Sequence, residues 1–179
     1  MGNRGTVIFV AGADISPATY LHWNGGPESV YSFLEELERR NVRADADYEA
    51  ARFVHVVGDF FDADLGPREY AKDNGPSEYD GVSLGVVNGP TAITVEALGK
   101  VRTDQSDNGI YVVDRTVTPI GMRRFISGSF EEEYALTEMP ASQVAKERED
   151  WRESEYRTGI AERYEAIMLA RQTMFVTTP

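Results

Sequence analysis

The chain of 179 residues contains no cysteine. That absence removes disulfide frameworks, thiolate nucleophiles and every zinc site built on Cys. It also suits a reducing compartment, so a cytoplasmic setting is the expectation. Histidine is nearly as scarce. Only His22 and His55 occur, and two imidazoles so far apart in sequence do not make a zinc site by themselves. No metal and no cofactor are expected. Tryptophan is limited to Trp23 and Trp151. Long apolar runs are missing too. The run Thr6 to Ala11 is too short for a signal-peptide core or a membrane span, so no membrane association is expected.

Positive charge is the next deficit. The 18 Lys and Arg face 30 Asp and Glu, a net charge of -12. The excess is uneven: residues 61–90 and 131–179 are strongly acidic, whereas 91–130 are slightly basic. The tight basic pair in the middle of the chain is Arg123-Arg124. Such a surface repels nucleic acid, so direct nucleic-acid binding is not expected. An acidic protein can instead occupy another protein's basic, phosphate-binding groove. Solubility alone accounts for the same charge equally simply.

What is present reads as an α+β fold. Thr6 to Val10 is β-branched and apolar, a strand. Gly12 to Pro17 supplies turn residues, and Ala18 to Trp23 reads as a second strand closing a hairpin. Asn24-Gly25-Gly26 breaks it. Pro27 and Glu28 then suit the first turn of a helix whose apolar face is Val30, Phe33, Leu34 and Leu37. A second helix is predicted over Asp47 to Phe61, with Ala50, Phe53, Val54, Val57 and Phe61 on one face. Residues 62–81 read as a long acidic loop. Strands follow at Val82–Val87, Ile110–Val113 and Ile120–Ile126, with a short helix capped by Thr94 between the first two. The expected architecture is a mostly antiparallel sheet with helices on one face. After Phe130 the pattern changes, giving an expected division into a core, 1–130, and an acidic, mainly helical extension, 131–179. In the extension Lys146 to Glu153 has the mixed charge of a solvated helix, and Ile160, Tyr164, Ile167 and Arg171 share a stripe. Gly159 is expected to kink or divide this helix. The segment either packs back on the sheet or projects to a partner, and a homodimer through Ile160 to Phe175 is one such arrangement.

The segment His22-Trp23-Asn24-Gly25-Gly26-Pro27-Glu28 is the densest in chemistry. A glycine turn before a helix N-terminus can expose backbone N–H groups to an anion. His22 can exchange protons near neutral pH, Asn24 can orient a ligand, and Trp23 can stack on one. If the protein is an enzyme, His22, Asn24 and Glu28 are its candidate catalytic groups, with Trp23, Gly25 and Gly26 binding the ligand. The same residues also suit a structural role, with the glycines making the turn and Trp23 filling core. The phosphate-binding signatures are absent: no GK[ST] ending and no GxGxxG. Asp59, Asp62 and Asp64 fail the EF-hand pattern because the third ligand position falls on Gly66. A solvated acidic loop explains them.

The run Tyr20 to Val30 resembles a motif of a family of small phage, plasmid and integrative-element proteins. There a hairpin ends in HW-[DN]-G-x-P-E and a helix follows. The resemblance extends over Ser83–Val87 and Asn108–Val112, about residues 4–126 in all, and leaves out the C-terminal helix. It implies a mobile-element setting, in which small acidic accessory proteins disarm host defence. The expectation is therefore a non-enzymatic binding protein of anti-CRISPR or anti-restriction type. Its partner would be a protein complex with a basic groove. Carboxylates at Asp62, Asp64, Glu69, Asp73, Glu78, Asp80, Glu147, Asp150 and Glu153 would supply the contact. The alternative is a small-molecule or nucleotide-binding enzyme using the His22–Glu28 junction.

Overall fold

The structure is a computed structural model and describes residues 3–40, 43–62, 84–101, 108–117, 120–127 and 135–176. Seven strands form one mixed sheet: β1 (Gly5–Ala11), β2 (Asp14–Ile15), β3 (Ala18–Leu21), β4 (Leu84–Val87), β5 (Ile110–Asp114), β6 (Gly121–Ser127) and β7 (Leu136–Glu138). The helices are α1 (Pro27–Arg39), α2 (Ala46–Asp62), α3 (Val95–Leu98), α4 (Ala141–Arg152) and α5 (Glu155–Val176). The strand order is β4-β3-β1-β5-β6-β7, with β2 beside the far half of β1. β1 and β5 run parallel, with Val7 opposite Tyr111, and the other pairings are antiparallel. The expected α+β class and mostly antiparallel sheet are what the molecule has.

β1 and β5 occupy the centre because both are apolar on both faces, as a strand covered on both sides must be. Val7, Phe9, Leu21, Tyr111 and Val113 face α1, α2, α4 and α5. Ile8, Ala18, Ile110, Val112 and Phe125 face the other way and are covered by Leu98 and Val101, in and just after the one-turn α3. Thr94 caps that turn by accepting the Ala97 N–H at 3.2 Å. The first hairpin is bent rather than straight. Pro17 has no N–H to give, and Ser16 takes over the pairing: its Oγ accepts the Phe9 N–H and its own N–H donates to the Phe9 carbonyl, both at 2.9 Å.

Helix α1 buries the expected stripe, Val30, Phe33, Leu34 and Leu37. On α2 the stripe is rotated. Phe53, Val56, Val57 and Phe60 are buried, while Val54 is half-buried. Phe53 and Phe60 of α2 stand edge-on against Phe33 of α1, at 6.3 and 5.3 Å between centroids.

The C-terminal helices pack back onto α1 and α2. Trp151 of α4, with Ile160, Tyr164 and Ile167 of α5, joins the same cluster as Val7 and Phe33. The Trp151 indole N–H donates to Ser32 Oγ at 2.9 Å, and the Tyr164 hydroxyl donates to the Val56 carbonyl at 2.7 Å. The long helix divides at Glu153–Ser154 and not at Gly159, which lies within α5. Ser154 explains the place: its Oγ accepts the Arg157 N–H at 3.3 Å and starts the second helix.

At the other end of the sheet, Glu49 of α2 is 1% exposed and bonded at 2.7 Å to Arg115, which follows β5. Burial pushes its carboxyl up to about 7 against the opposing pull of Arg115, with Asp114 and Asp45 adding to the rise. The folded state therefore holds this proton more tightly than the unfolded chain, whose value is 4.5. Glu49's contribution to stability is full below that value and declines as pH rises toward 7, by about 2–3 kcal/mol. Urea unfolding across this window should show the decline in the wild type. Glu49→Gln should flatten it, and identical profiles would sink the assignment.

Candidate functional site

The His22–Glu28 junction sits where β3 leaves the sheet and α1 begins. Asn24 adopts a left-handed conformation with φ 57°, unusual for a residue with a side chain. It turns the chain so that Gly25 lies flat on the start of β1. The Gly25 N–H donates to the Asn3 carbonyl at 2.7 Å, and the Gly25 carbonyl accepts the Tyr111 hydroxyl at 3.0 Å. Gly26 is the N-cap of α1, Pro27 opens its first turn, and Glu28 stands exposed beside it.

The candidate catalytic groups do not converge. His22 Nδ1 meets the Tyr20 hydroxyl at 3.2 Å, and its ring stands edge-on to Trp23 at 5.1 Å. Asn24 Oδ1 is approached by the Tyr156 hydroxyl of α5 at 3.4 Å, and Tyr156 also meets Ser29 Oγ at 3.1 Å. No hydrogen bond or ion pair joins His22, Asn24 and Glu28 to one another. Trp23 does not fill core: it is 36% exposed, and Tyr156 is 45% exposed. The junction thus presents aromatic surface on a tightly held loop.

Beneath it lies a buried polar network. Arg124, 3% exposed, donates to both oxygens of Glu147, at 2.7 and 2.6 Å, and to the Asn108 carbonyl. Its guanidinium lies 4.4 Å from the Tyr111 ring centroid. Tyr31 donates to Glu147 at 3.1 Å. Burial pushes the Tyr31 and Tyr111 hydroxyls well above the ordinary phenol range, so both stay protonated donors.

This network decides the fate of the expected partner-binding acids. Glu147 is committed inside the molecule. Asp150 is exposed and paired with Lys146 at 2.8 Å. Glu153 is exposed at the α4–α5 corner and forms no ion pair among the described residues. Asp62 closes α2. Asp64, Glu69, Asp73, Glu78 and Asp80 lie outside the described residues, as does most of the expected 62–81 loop. Asp59 is not a solvated loop acid. It is 5% exposed and accepts hydrogen bonds from Arg40 and Arg171.

A hollow lies where sequence reasoning did not look, between α1 and α5. It is a cleft of about 420 Å³. Ile160, Ala161 and Tyr164 contribute apolar surface to it. Four carboxylates, Glu35, Glu36, Glu38 and Glu165, and two guanidiniums, Arg39 and Arg157, surround them. Glu36 is buried and bonded to Arg39 and Arg40, both at 2.7 Å, and Glu35 holds Arg157. Glu38 and Glu165 are exposed and form no ion pair among the described residues, although the charge of Glu165 helps to hold the Arg39 proton. The sequence signal was present as carboxylates off the apolar stripe of α1. Which helix would lie beside them was not readable.

The class is an α+β domain with an acidic interhelical cleft and an exposed aromatic junction. Among the described residues no helix is long and apolar enough to cross a membrane. No family model, curated protein or solved structure matches the chain.

Proposed function

We propose that the protein is a non-enzymatic binding protein whose partner presents basic side chains. The α1–α5 cleft is the observation that carries this reading. A Lys or Arg stem fits along Ile160, Ala161 and Tyr164 while its charge reaches Glu38 and Glu165, exposed carboxylates that form no ion pair among the described residues, the nearby Arg39 being bonded to Glu36. The net charge of -12 adds a long-range attraction that speeds encounter with a basic surface. The narrower reading is an inhibitor of anti-CRISPR or anti-restriction type. It would occupy the Lys/Arg groove of a host nucleic-acid-binding defence complex. This is supported by the resemblance of residues 4–126 to mobile-element proteins and by the acidic excess.

The test is DNA cleavage by purified CRISPR effectors and restriction nucleases with and without the protein, at low and at high salt. Inhibition of one of them at low salt, fading at high salt, is the expected result. Glu38→Lys with Glu165→Lys alters two exposed side chains and should weaken inhibition about tenfold, roughly 1.4 kcal/mol. Inhibition indifferent to salt and to this charge reversal would show that the carboxylates are not the contact.

A further inference from the structure

We infer that β4 is a pairing edge for a second copy of this chain, which joins it as an antiparallel strand about a two-fold axis at Gly85. The two sheets then continue as one across the axis. This surface is separate from the α1–α5 cleft, and either can fail without the other.

β4 ends the sheet, and among the described residues its outer side meets no further strand. The ladder fixes which of its backbone groups face outward. The Thr6 N–H donates to the Gly109 carbonyl, on the β5 side of β1. Tyr20, opposite Thr6, therefore turns its own groups to β4, where it pairs Gly85. The groups of Leu84 and Val86 point outward. In a two-fold pairing about Gly85, Leu84 of each copy exchanges hydrogen bonds with Val86 of the other, about four bonds in all. The two Gly85 residues face each other between them as a non-hydrogen-bonded pair.

The side chains fit the same register. Leu84 and Val86 share the helix-covered face of the sheet, Leu84 half-buried and Val86 60% exposed. Each Val86 would be covered by Leu84 of the other copy, the kind of cross-strand contact that stabilises sheets. The edge is also held in place. A Cβ at Gly89 would stand 2.1 Å from the Ser16 carbonyl oxygen, so the chain leaving β4 lies directly on that backbone.

Edges that stay unpaired are kept so by charge, proline or shortness. β7, at the opposite edge, has three residues, and its Glu138 is held by Arg123 at 2.6 Å. β4, Leu84-Gly85-Val86-Val87, has neither charge nor proline. It lies within Gly81 to Val95, the longest run of the chain without Asp, Glu, Lys or Arg. Charge thereby selects the occupant. Nothing on this edge draws the basic partner that the cleft draws, and nothing on it repels a copy of itself. The contact is smaller than the roughly 800 Å² per partner of a standard interface, so half-dimerisation is expected near about 100 µM.

A chain without cysteine makes the test direct. Gly85→Cys supplies the sole thiol, and its Cβ would meet only Tyr20, at 3.9 Å, so the variant should fold. Facing residues of a non-hydrogen-bonded pair have Cα atoms about 4.5 Å apart, within reach of a disulfide. Under copper-catalysed air oxidation Gly85→Cys should form a covalent dimer about tenfold faster than Ala145→Cys, an exposed site on α4. Sedimentation equilibrium of the wild type from about 10 to 500 µM should show monomer passing to dimer. Val86→Lys should abolish that transition and keep the circular dichroism of the wild type. A wild type monomeric throughout, or equal cross-linking at the two cysteine positions, overturns the pairing. A strand of another protein as the true occupant of β4 gives the first of those outcomes.

Discussion

Asp59→Ala is expected to destabilise the protein by about 3 kcal/mol, toward the low end of what breaking a buried ion pair costs. The Asp59 side chain is 4% exposed and joins three elements. Arg40, just past α1, donates to it at 2.8 Å, Arg171 of α5 donates through both terminal nitrogens, and His55 lies 3.6 Å away one turn earlier on α2. Burial pushes the Asp59 carboxyl up, but the hydrogen bonds from Arg171 and Arg40 outweigh it and hold it below its ordinary value of 3.8. Its contribution is therefore present above that value and lost as pH falls through the lower, folded one. Removing the carboxylate leaves Arg40 with the Glu36 carboxylate and the Tyr164 ring face, and one of its terminal nitrogens has no hydrogen-bond partner among the described residues. Arg171 is 41% exposed and turns to water, which keeps the loss from being larger. Arg171→Ala should accordingly cost under about 1 kcal/mol. Urea unfolding of the two variants decides the matter. Equal losses would mean that Asp59 acts only as a surface partner of Arg171 and not as the hub.

The same residue shows where the sequence was legible and where it was not. The strands, the α1 stripe and the Thr94 cap follow from local rules, because β-branched runs, periodicity and capping residues act over a few positions. Asp59 was grouped with Asp62 and Asp64 because all three lie close in sequence. Their separation depends on α2 continuing to Asp62 and on α5 returning to lay Arg171 beside it, contacts over 100 residues long. Trp151 misled in the same way. Its neighbours are charged, so the segment reads as solvated, yet α4 buries Val144 and Trp151 at a spacing of two turns, half-buries Glu147 and Arg148 and exposes the rest. The junction was legible as a strand–turn–helix connection. That His22 and Asn24 would turn to separate partners and Glu28 to the surface was not, since the left-handed Asn24 rotates the chain between them. The acidic cleft needed both α1 and α5, and no spacing within either helix announces the other.

Gly25→Ala is expected to destabilise by on the order of 3 kcal/mol and to lower the melting temperature by about 6–12 °C. The cause is space and not torsion, because Gly25 does not adopt the left-handed conformation of its neighbour Asn24. A Cβ at Gly25 would stand 2.1 Å from the Gly5 nitrogen and 2.4 Å from the Arg4 carbonyl carbon. Those atoms begin β1, which is held between β3 on one side and β5 on the other, so they cannot yield. A Cβ at Gly5 would in turn lie 2.5 Å from the Gly25 oxygen, making the contact glycine against glycine. Gly26→Ala is the internal comparison. Its Cβ would meet the side-chain ends of Asn3 and Glu28 at 3.1 to 3.3 Å, groups that can swing aside, so its cost should stay under about 1 kcal/mol. Thermal melts of the two variants separate the explanations. A large loss at Gly25 alone means that the glycine seats the loop on β1 and so fixes Trp23 two residues earlier. Equal losses mean that the pair is needed for turn flexibility, and the rigid presentation of Trp23 then has no structural cause.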